Sequence, residues 1–413
     1  MEEIERSMET YIELEKAQSL VLDHVYPVKT EKLKLKEAYQ RVLAGDVHSL
    51  SALPPFDRSP LDGYAYWTET NNTAPIRLKV VCEIPAGTWS EQRIGVGEAA
   101  KIFTGAPIPV GTNCIVRWED TEVDGDEVII NFPVAPGANI VPRGDEIKEG
   151  EKLLLSGTLL TPAAIGLLAA VGVEFVEVYR RPLVGLLATG SELKEVGSTL
   201  APGQIFNSNT YTLRGLIQNN LCDVKLIPLV PDLLPETLTA LQNLEDCHLV
   251  ISTGGASAGE YDLMRLALEK HDCQLLFWKI NMKPGTPVAV ALKEKKLFFS
   301  LSGNPAAAMV TFELLVRPAL RKLAGLSLVM EDGFMVKMAG GFGKSGRQRR
   351  FLRAKIIFRD GEIWAYPPIA QGSSVLLSMI GSQLLIDVPA GHGVVKEGEY
   401  LKAHWTGNGE EVL

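Results

Sequence analysis

From about residue 180 the chain settles into a rhythm that few folds can accommodate. Apolar runs of strand length alternate with segments whose apolar residues recur at helical spacing. "PLVGLLATG" reads as a strand and "NSNTYTLRGLIQNN" as a helix capped by an Asn or Ser. "DVKLIPLV" and "LPETLTALQNL" repeat that pair, and "CHLVIST" and "YDLMRLALEKH" repeat it again. "QLLFWKI", "PVAVAL" and "LFFSL" add strands before one long helix, "NPAAAMVTFELLVRPALRKLAG". Such alternation predicts an α/β domain with a mainly parallel sheet.

The flanks have a different texture. Residues 9–25 carry Leu14, Ala17 and Val21 at helical spacing, and "EKLKLKEAYQRVLAGDV" is expected to continue a helical pattern until Gly45. From about 50 to 140 Pro, Gly and Thr are frequent and short apolar alternations appear ("IRLKVVCEI", "NCIVRWEDT", "DEVIINF"), predicting a small β-rich domain. "GTLLTPAAIGLLAAVGV" reads as a helix with Thr161 as cap and Pro162 in its first turn. After Leu326 five short apolar segments, from "GFMVKMAG" to "EYLKAHWTG", predict a C-terminal β-barrel. The expected organisation is a helical/linker domain over 1–48 and 141–178, a β-rich domain over 49–140, the α/β domain over 179–327 and the barrel over 328–413. The length of 413 residues suits two to four domains.

Composition narrows the function classes. No apolar run reaches the ~18 residues of a membrane span, and "MEEIERSMETY" is too acidic for a secretory or transit signal. Five scattered cysteines without a CxxC point to reduced thiols and a cytoplasmic setting, not a disulfide frame or zinc site. A net charge of −9 argues against nucleic-acid binding; an anionic ligand would need local groups to hold it.

Those groups gather at the strand ends, where open α/β sheets bind ligands. One strand ends in Thr189-Gly190-Ser191-Glu192, another in Pro231-Asp232, and a third in "STGGASAGEYD", with Gly254, Gly255, Ser257 and finally Asp262. Glycines let backbone N–H groups approach an anion. Carboxylates beside phosphates suit Mg²⁺, which takes one or two of them with phosphate oxygens and water. The local alternative for each is a tight turn before a helix whose dipole favours acids. "FWKINMKPGTP" adds Lys279, Lys283 and Pro284, and "LSGNPAAAM" adds Gly303 and Asn304 at another strand-to-helix step, an anion-binding helix start.

"GGFGKS" (340–345) resembles a P-loop, but Met338 stands where the first glycine is required and no long helix follows. "GVGEAA" (95–100) lacks the strand that precedes a dinucleotide fingerprint. Asp62-Gly63 and Thr104-Gly105 read locally as turns. The dense basic segment "KSGRQRRFLRAK" (344–355), as a strand, puts Phe351 and Arg353 on one face and Arg350 and Leu352 on the other.

Taken together, "LDGYA", "IFTGAP", "TGSEL", "GGASAGEYD", "FWKINMKPGTP" and "GNPAAA" occur in the order and at roughly the spacings of one family. The chain resembles the molybdopterin molybdenumtransferases, the MoeA family related to the gephyrin E domain, over nearly its whole length. The resemblance implies an elongated multidomain chain with a central molybdopterin-binding-like α/β domain. It implies insertion of molybdate into adenylylated molybdopterin (molybdopterin-AMP), with Mg²⁺-dependent release of AMP. It assigns active-site positions to Asp62, Thr104, Glu192, Asp232, Asp262, Lys279, Lys283, Arg353 and Ser373, with Glu192, Asp232 and Asp262 as metal ligands. It further implies a homodimer with a composite site completed by Asp62 and Thr104 of the other subunit, and contacts with other cofactor-biosynthesis proteins and apo-molybdoenzymes. Departures from the family pattern are Leu61 for Met, Leu233 for an acid, Thr286 for Lys and Ser302 for Pro, with an extra residue before Phe351. Two other readings fit the α/β core: adenylyl transfer to molybdopterin, and a non-enzymatic dimeric scaffold of the gephyrin E type.

Overall fold

A computed structural model describes residues 9–69, 73–254 and 263–407 of the chain. Strand β1 (Glu9–Ile12) leaves at once for the central sheet, and helix α1 (Leu14–Asp23) buries Leu14, Ala17 and Val21 as their spacing predicts. The helical expectation then fails. "EKLKLKE" forms strand β2 (Thr30–Lys34) and a short 3₁₀ turn, Leu35–Glu37, and β2 pairs antiparallel with Phe175–Tyr179. Leu33 and Leu35 alternate with Lys32, Lys34 and Lys36, which is period two. A partner strand for that pattern overrides the helical preference of Lys and Glu.

Strands β3 (Gly63–Tyr66), β4 (Ile76–Ile84), β5 (Glu98–Ile102), β6 (Cys114–Arg117), β7 (Thr121–Asp124) and β8 (Glu127–Ile130) make one sheet in the order β6-β3-β5-β4-β8-β7. Only β4 and β5 run parallel. The adjacent inner strands β3 and β5 escaped the sequence reading because "GYAY" and "EAAKI" lack β-branched runs. They are nonetheless buried, with Tyr64 and Tyr66 in one core layer and Ala65 and Ile102 in another. Gly63, read as a turn, opens β3: a Cβ there would stand 2.0 Å from the Val116 carbonyl oxygen.

Helix α2 (Pro162–Ala170) starts as predicted, with Thr161 accepting from the Ala164 amide at 3.3 Å, and β9 (Phe175–Tyr179) returns to β2. The α/β region follows: β10 (Leu183–Ala188), α3 (Asn209–Asn219), β11 (Asp223–Leu226), α4 (Leu234–Gln242), β12 (Leu249–Thr253), α5 (Leu263–Lys270), β13 (Gln274–Ile280), β14 (Met282–Lys283), β15 (Val288–Lys293) and β16 (Lys296–Leu301). The seven-stranded sheet has the order β1-β13-β15-β16-β12-β10-β11, and only β15 runs against the others. Ala188, Thr253 and Leu301 stand in register, so three strands end flush.

The long helix comes in three parts: α6 (Pro305–Thr311), a π-helical stretch Phe312–Val316, and α7 (Arg317–Leu323). Pro318 has no N–H to offer the Leu314 carbonyl, and Gln18 on α1 donates to it instead at 2.8 Å. Strands β17 (Phe334–Met338), β18 (Arg349–Arg359), β19 (Glu362–Tyr366), β20 (Leu384–Val388) and β21 (Tyr400–Trp405) close into a five-stranded barrel, since β18 pairs with both β19 and β20. Leu352 and Ala354 point into the barrel, whereas Phe351 joins the core of the α/β region. The two-residue β14 pairs in parallel with the start of β18 and ties barrel to sheet. Among the described residues no helix is long and apolar enough to cross a membrane.

Candidate active site at the strand ends and barrel cleft

The carboxyl edge of the sheet is stapled by small polar side chains. Asn209, buried in the first turn of α3, donates from Nδ2 to Thr253 Oγ1 at 2.7 Å and to the Gly303 carbonyl at 2.9 Å. Thr253 Oγ1 donates to the Ser302 carbonyl at 3.2 Å, and the Thr189 amide donates to the Thr253 carbonyl at 2.9 Å. Asn209 therefore holds strand ends together rather than merely opening a helix. Gly254, at φ 88°, is required here: a Cβ would stand 1.9 Å from the Thr189 carbonyl oxygen.

Two of the three expected metal ligands stand on adjoining exposed turns. Asp232 Oδ2 accepts from the Ser191 amide at 3.0 Å, which binds the turn after β11 to the turn after β10. Glu192 folds back toward Gly190, where a Cβ would be 2.8 Å from Glu192 Oε2. The third, Asp262, lies outside the described residues together with Gly255 and Ser257. Among the described residues no cluster of three His, Cys, Asp or Glu side chains could hold a metal ion. The donors present are hard oxygens, the class Mg²⁺ prefers, and one Asp232 oxygen has no hydrogen-bond partner among the described residues.

Beside this edge a cleft of about 620 Å³ opens between the β13–β15 loop, the start of α6 and the barrel. Lys283, Pro284, Asn304, Arg353 and Ser373 all line it. Its described lining includes four basic residues (Lys283, Lys344, Arg350, Arg353) and no acidic one. The Ser373 carbonyl accepts from the Ala307 amide at 3.2 Å, so this helix-start donor, expected to face an anion, is engaged within the chain. Gly303 joins the two patches: its Cβ position is 3.6 Å from Gly254 Cα, and its neighbours Ser302 and Asn304 line the cleft.

Arg353 is the unusual member. It is fully buried, yet no carboxylate pairs with it among the described residues. Its Nε and Nη2 donate to Ser378 Oγ at 3.1 and 2.9 Å, and Nη2 also donates to the Gly372 carbonyl at 2.9 Å. Nη1 is buried without a partner. Burial pulls the guanidinium down to about 10, well below its ordinary value. Gln371 holds the backbone at this point, exchanging hydrogen bonds of 3.0 and 2.8 Å with the Arg353 amide and carbonyl. Lys279, at φ 69°, stacks its ammonium over Trp278 at 3.9 Å and Tyr11 at 5.4 Å.

Asp62 and Thr104 lie apart from this edge, on the β3–β8 sheet. The sequence offered them no local partner, but they partner each other: Asp62 Oδ1 accepts from the Thr104 amide at 2.8 Å and from Thr104 Oγ1 at 2.9 Å. Those bonds hold the exposed Asp62 carboxyl below its ordinary value. None of their hydrogen bonds reaches a strand-end residue among the described residues. Sequence reasoning missed Asn209, Gln371, Ser378 and Tyr11. It dismissed "GGFGKS" as a nucleotide loop, yet Phe342 and Lys344 of that segment line the cleft.

Comparison with known proteins agrees with this arrangement along the whole chain. Residues 12–172 match the MoeA N-terminal region (domain I and II), 185–322 a probable molybdopterin binding domain, and 335–404 the MoeA C-terminal region (domain IV). A molybdopterin molybdenumtransferase of Haemophilus influenzae is 35% identical over 396 residues, covering 94% of this chain and 96% of that one. One from Staphylococcus aureus (strain Mu50) is 32% identical over 369 residues, 88% of each chain. The crystal structure of a molybdopterin biosynthesis MoeA protein from Pyrococcus horikoshii OT3 superposes with a TM-score of 0.81 at 30% identity, covering 96% of this chain and all of that one. Sheet, barrel and sequence likeness all extend from the N-terminal strand to the last strand of the barrel, and the chain belongs to the MoeA family of molybdopterin molybdenumtransferases.

Proposed function

We propose that this chain performs the metal-insertion step of molybdenum cofactor biosynthesis. It binds adenylylated molybdopterin, delivers molybdate to the dithiolene of the pterin and releases AMP in a Mg²⁺-dependent cleavage of the pyrophosphate. The observation that carries this reading is a cleft with four basic and no acidic described lining residues, in a chain of net charge −9. Such a cleft draws anionic ligands, molybdate and substrate phosphates alike, that the rest of the surface repels.

In this reading Lys283, Arg353 and Ser373 hold the oxyanion, with Arg353 supplying its unpartnered Nη1 and Ser373 a hydroxyl. Pro284 shapes the same loop. Gly190, Ser191, Gly254, Gly303 and Asn304 line the approach to the phosphates, joined by Gly255 and Ser257. Glu192, Asp232 and Asp262 would hold Mg²⁺, which when bound neutralises charge on the phosphate oxygens. Lys279 adds a cation whose position is set by two aromatic rings. Asp62 and Thr104 complete the site of a second subunit in a homodimer, which gives their isolated hydrogen-bonded pair a role. The enzyme works in the cytoplasm, among other cofactor-biosynthesis proteins and the apo-molybdoenzymes it supplies.

The test is AMP release and molybdenum incorporation from purified molybdopterin-AMP, each expected only when molybdate and Mg²⁺ are both present. ATP consumption with metal-free molybdopterin and no molybdate would assign adenylyl transfer instead, and neither reaction in a folded protein would leave a scaffold. For the composite site, mixing inactive Asp62→Ala and Asp262→Ala subunits should restore part of the activity. No recovery despite proven exchange would confine both residues to one subunit's site.

A further inference from the structure

The cleft holds more positive charge than one molybdate dianion uses. Arg353 and Arg350 sit three residues apart on β18, roughly 10 Å along a strand and on opposite faces of it. Strand alternation therefore starts the two side chains from different sides of β18. Arg350 has its own mount. Its Nη1 and Nη2 donate to the carbonyls of Lys344 and Ser345 at 3.3 and 2.9 Å, and its guanidinium lies 5.7 Å from the Phe342 ring centroid. Gly346 makes room for it, since a Cβ there would be 2.3 Å from Nη2. Nε is buried without a partner, and no carboxylate pairs with the side chain among the described residues. The acceptors are neutral, so they orient the guanidinium without cancelling its charge. Lys283 stands directly opposite Arg350 in the β14–β18 register, and Lys344 lines the same cleft from the loop that clasps it.

We infer that Lys344 and Arg350 form a second anion subsite at the mouth of this cleft, separate from the one at Arg353, and that it takes a phosphate ester. Resting on the proposed function, the ester is the phosphate of the pterin substrate, which the subsite holds while molybdate occupies the deeper position. Molybdate and phosphate are both tetrahedral dianions, so the subsites are told apart by which cations serve which ion.

The test is calorimetric titration of the full chain with inorganic phosphate, alone and at saturating molybdate, and with molybdate itself. Phosphate should still bind when molybdate is saturating. Arg350→Ala, Lys344→Ala and Gly346→Ala should each weaken phosphate binding about tenfold, the loss of one charge-assisted contact, and leave molybdate affinity within about twofold. Lys344 is exposed and Gly346→Ala removes no charge, so these variants separate the subsite from a folding defect in Arg350→Ala. Arg353→Ala should do the reverse, weakening molybdate and sparing phosphate. Abolition of phosphate binding by molybdate, or wild-type phosphate affinity in all three rim variants, overturns the subsite while leaving the insertion reaction standing. Unchanged molybdate affinity in Arg353→Ala removes the deeper oxyanion site instead, and the rim variants still decide this proposal.

Discussion

Two arginines four positions apart on β18 share one face of the strand and have opposite surroundings. Arg349 grips Asp387 on β20 through two hydrogen bonds, 2.8 and 2.7 Å, and reaches Glu15 on α1 at 2.6 Å. The Asp387 hydrogen bonds hold its guanidinium above the ordinary value. Arg353 lies deeper, donates from its side chain to one hydroxyl and one carbonyl among the described residues, and sits below the ordinary value because of burial. Both belong to the dense basic segment 344–355, and both turn inward. The first is neutralised by the fold and joins helix α1 to the barrel. The second keeps a charge that no side chain among the described residues cancels, which in a protein interior costs on the order of several kcal/mol unless something else faces it. The difference separates a cation paired within the fold from one that is buried without a carboxylate among the described residues.

The largest effect should come from breaking the structural pair. Arg349→Met leaves Asp387 buried with no arginine, and should destabilise the fold by about 4 kcal/mol, read as a lower urea midpoint. A loss below about 1 kcal/mol would mean that Arg349 is as dispensable to folding as Arg353.

The acids divide in the same way. Asp387 is enclosed, whereas Glu192 and Asp232 stand exposed on strand-end turns. Glu192→Gln and Asp232→Asn should cut Mg²⁺-dependent AMP release on the order of 10²-fold or more, about 3 kcal/mol of barrier, with unfolding midpoints unchanged. Normal turnover in both variants would take the metal away from this edge.

Asp387 also gives the structural pair a pH signature. Burial pulls its carboxyl upward, but the two hydrogen bonds from Arg349, with His404 3.8 Å away, outweigh that and hold it at about 2. A carboxyl depressed in the folded state stabilises above its ordinary value, and that stability disappears as pH falls toward 2. The loss should be about 2 kcal/mol between pH 4 and pH 2, and Asp387→Asn should flatten that part of the stability profile. Equal pH dependence in the variant would assign the acid sensitivity to other groups.

What sequence could reveal follows the range of the interactions. The strand–helix alternation from 180 to 326 was legible because each element carries its own pattern, and so was the cap at Thr161. β2 was misread because "KLKLK" has a strand period that only a distant partner makes visible. β3 and β5 were passed over because their burial comes from two flanking layers and not from their composition. At the site, residue types could be read but not partnerships. Asn209 gave the signal of a cap and acts as a staple, and nothing local marks Gln371 or Ser378 as the setting of Arg353. The burial of Arg353 could not be foreseen at all, since an isolated arginine in a basic segment reads as surface.

That burial leads to the smallest and most discriminating effect. If Arg353 is held for an oxyanion, it is a burden to the empty fold. Replacing it with Met keeps most of the apolar volume and removes a buried charge, a change that elsewhere ranges from neutral to stabilising. Arg353→Met should therefore leave the unfolding free energy, read from the urea midpoint, unchanged or raise it by up to about 1 kcal/mol. It leaves Ser378 and the Gly372 carbonyl without their donor, which limits the gain. The same variant should need about tenfold more molybdate for half-maximal insertion, near 1.4 kcal/mol, and recover full rate at high molybdate. Ligand stabilisation supplies an independent readout: molybdate should raise the unfolding temperature of the unmodified protein and have little effect on the variant. A variant that loses several kcal/mol of stability while keeping its molybdate dependence would make Arg353 a structural cation like Arg349, and the contrast along β18 would be one of depth alone.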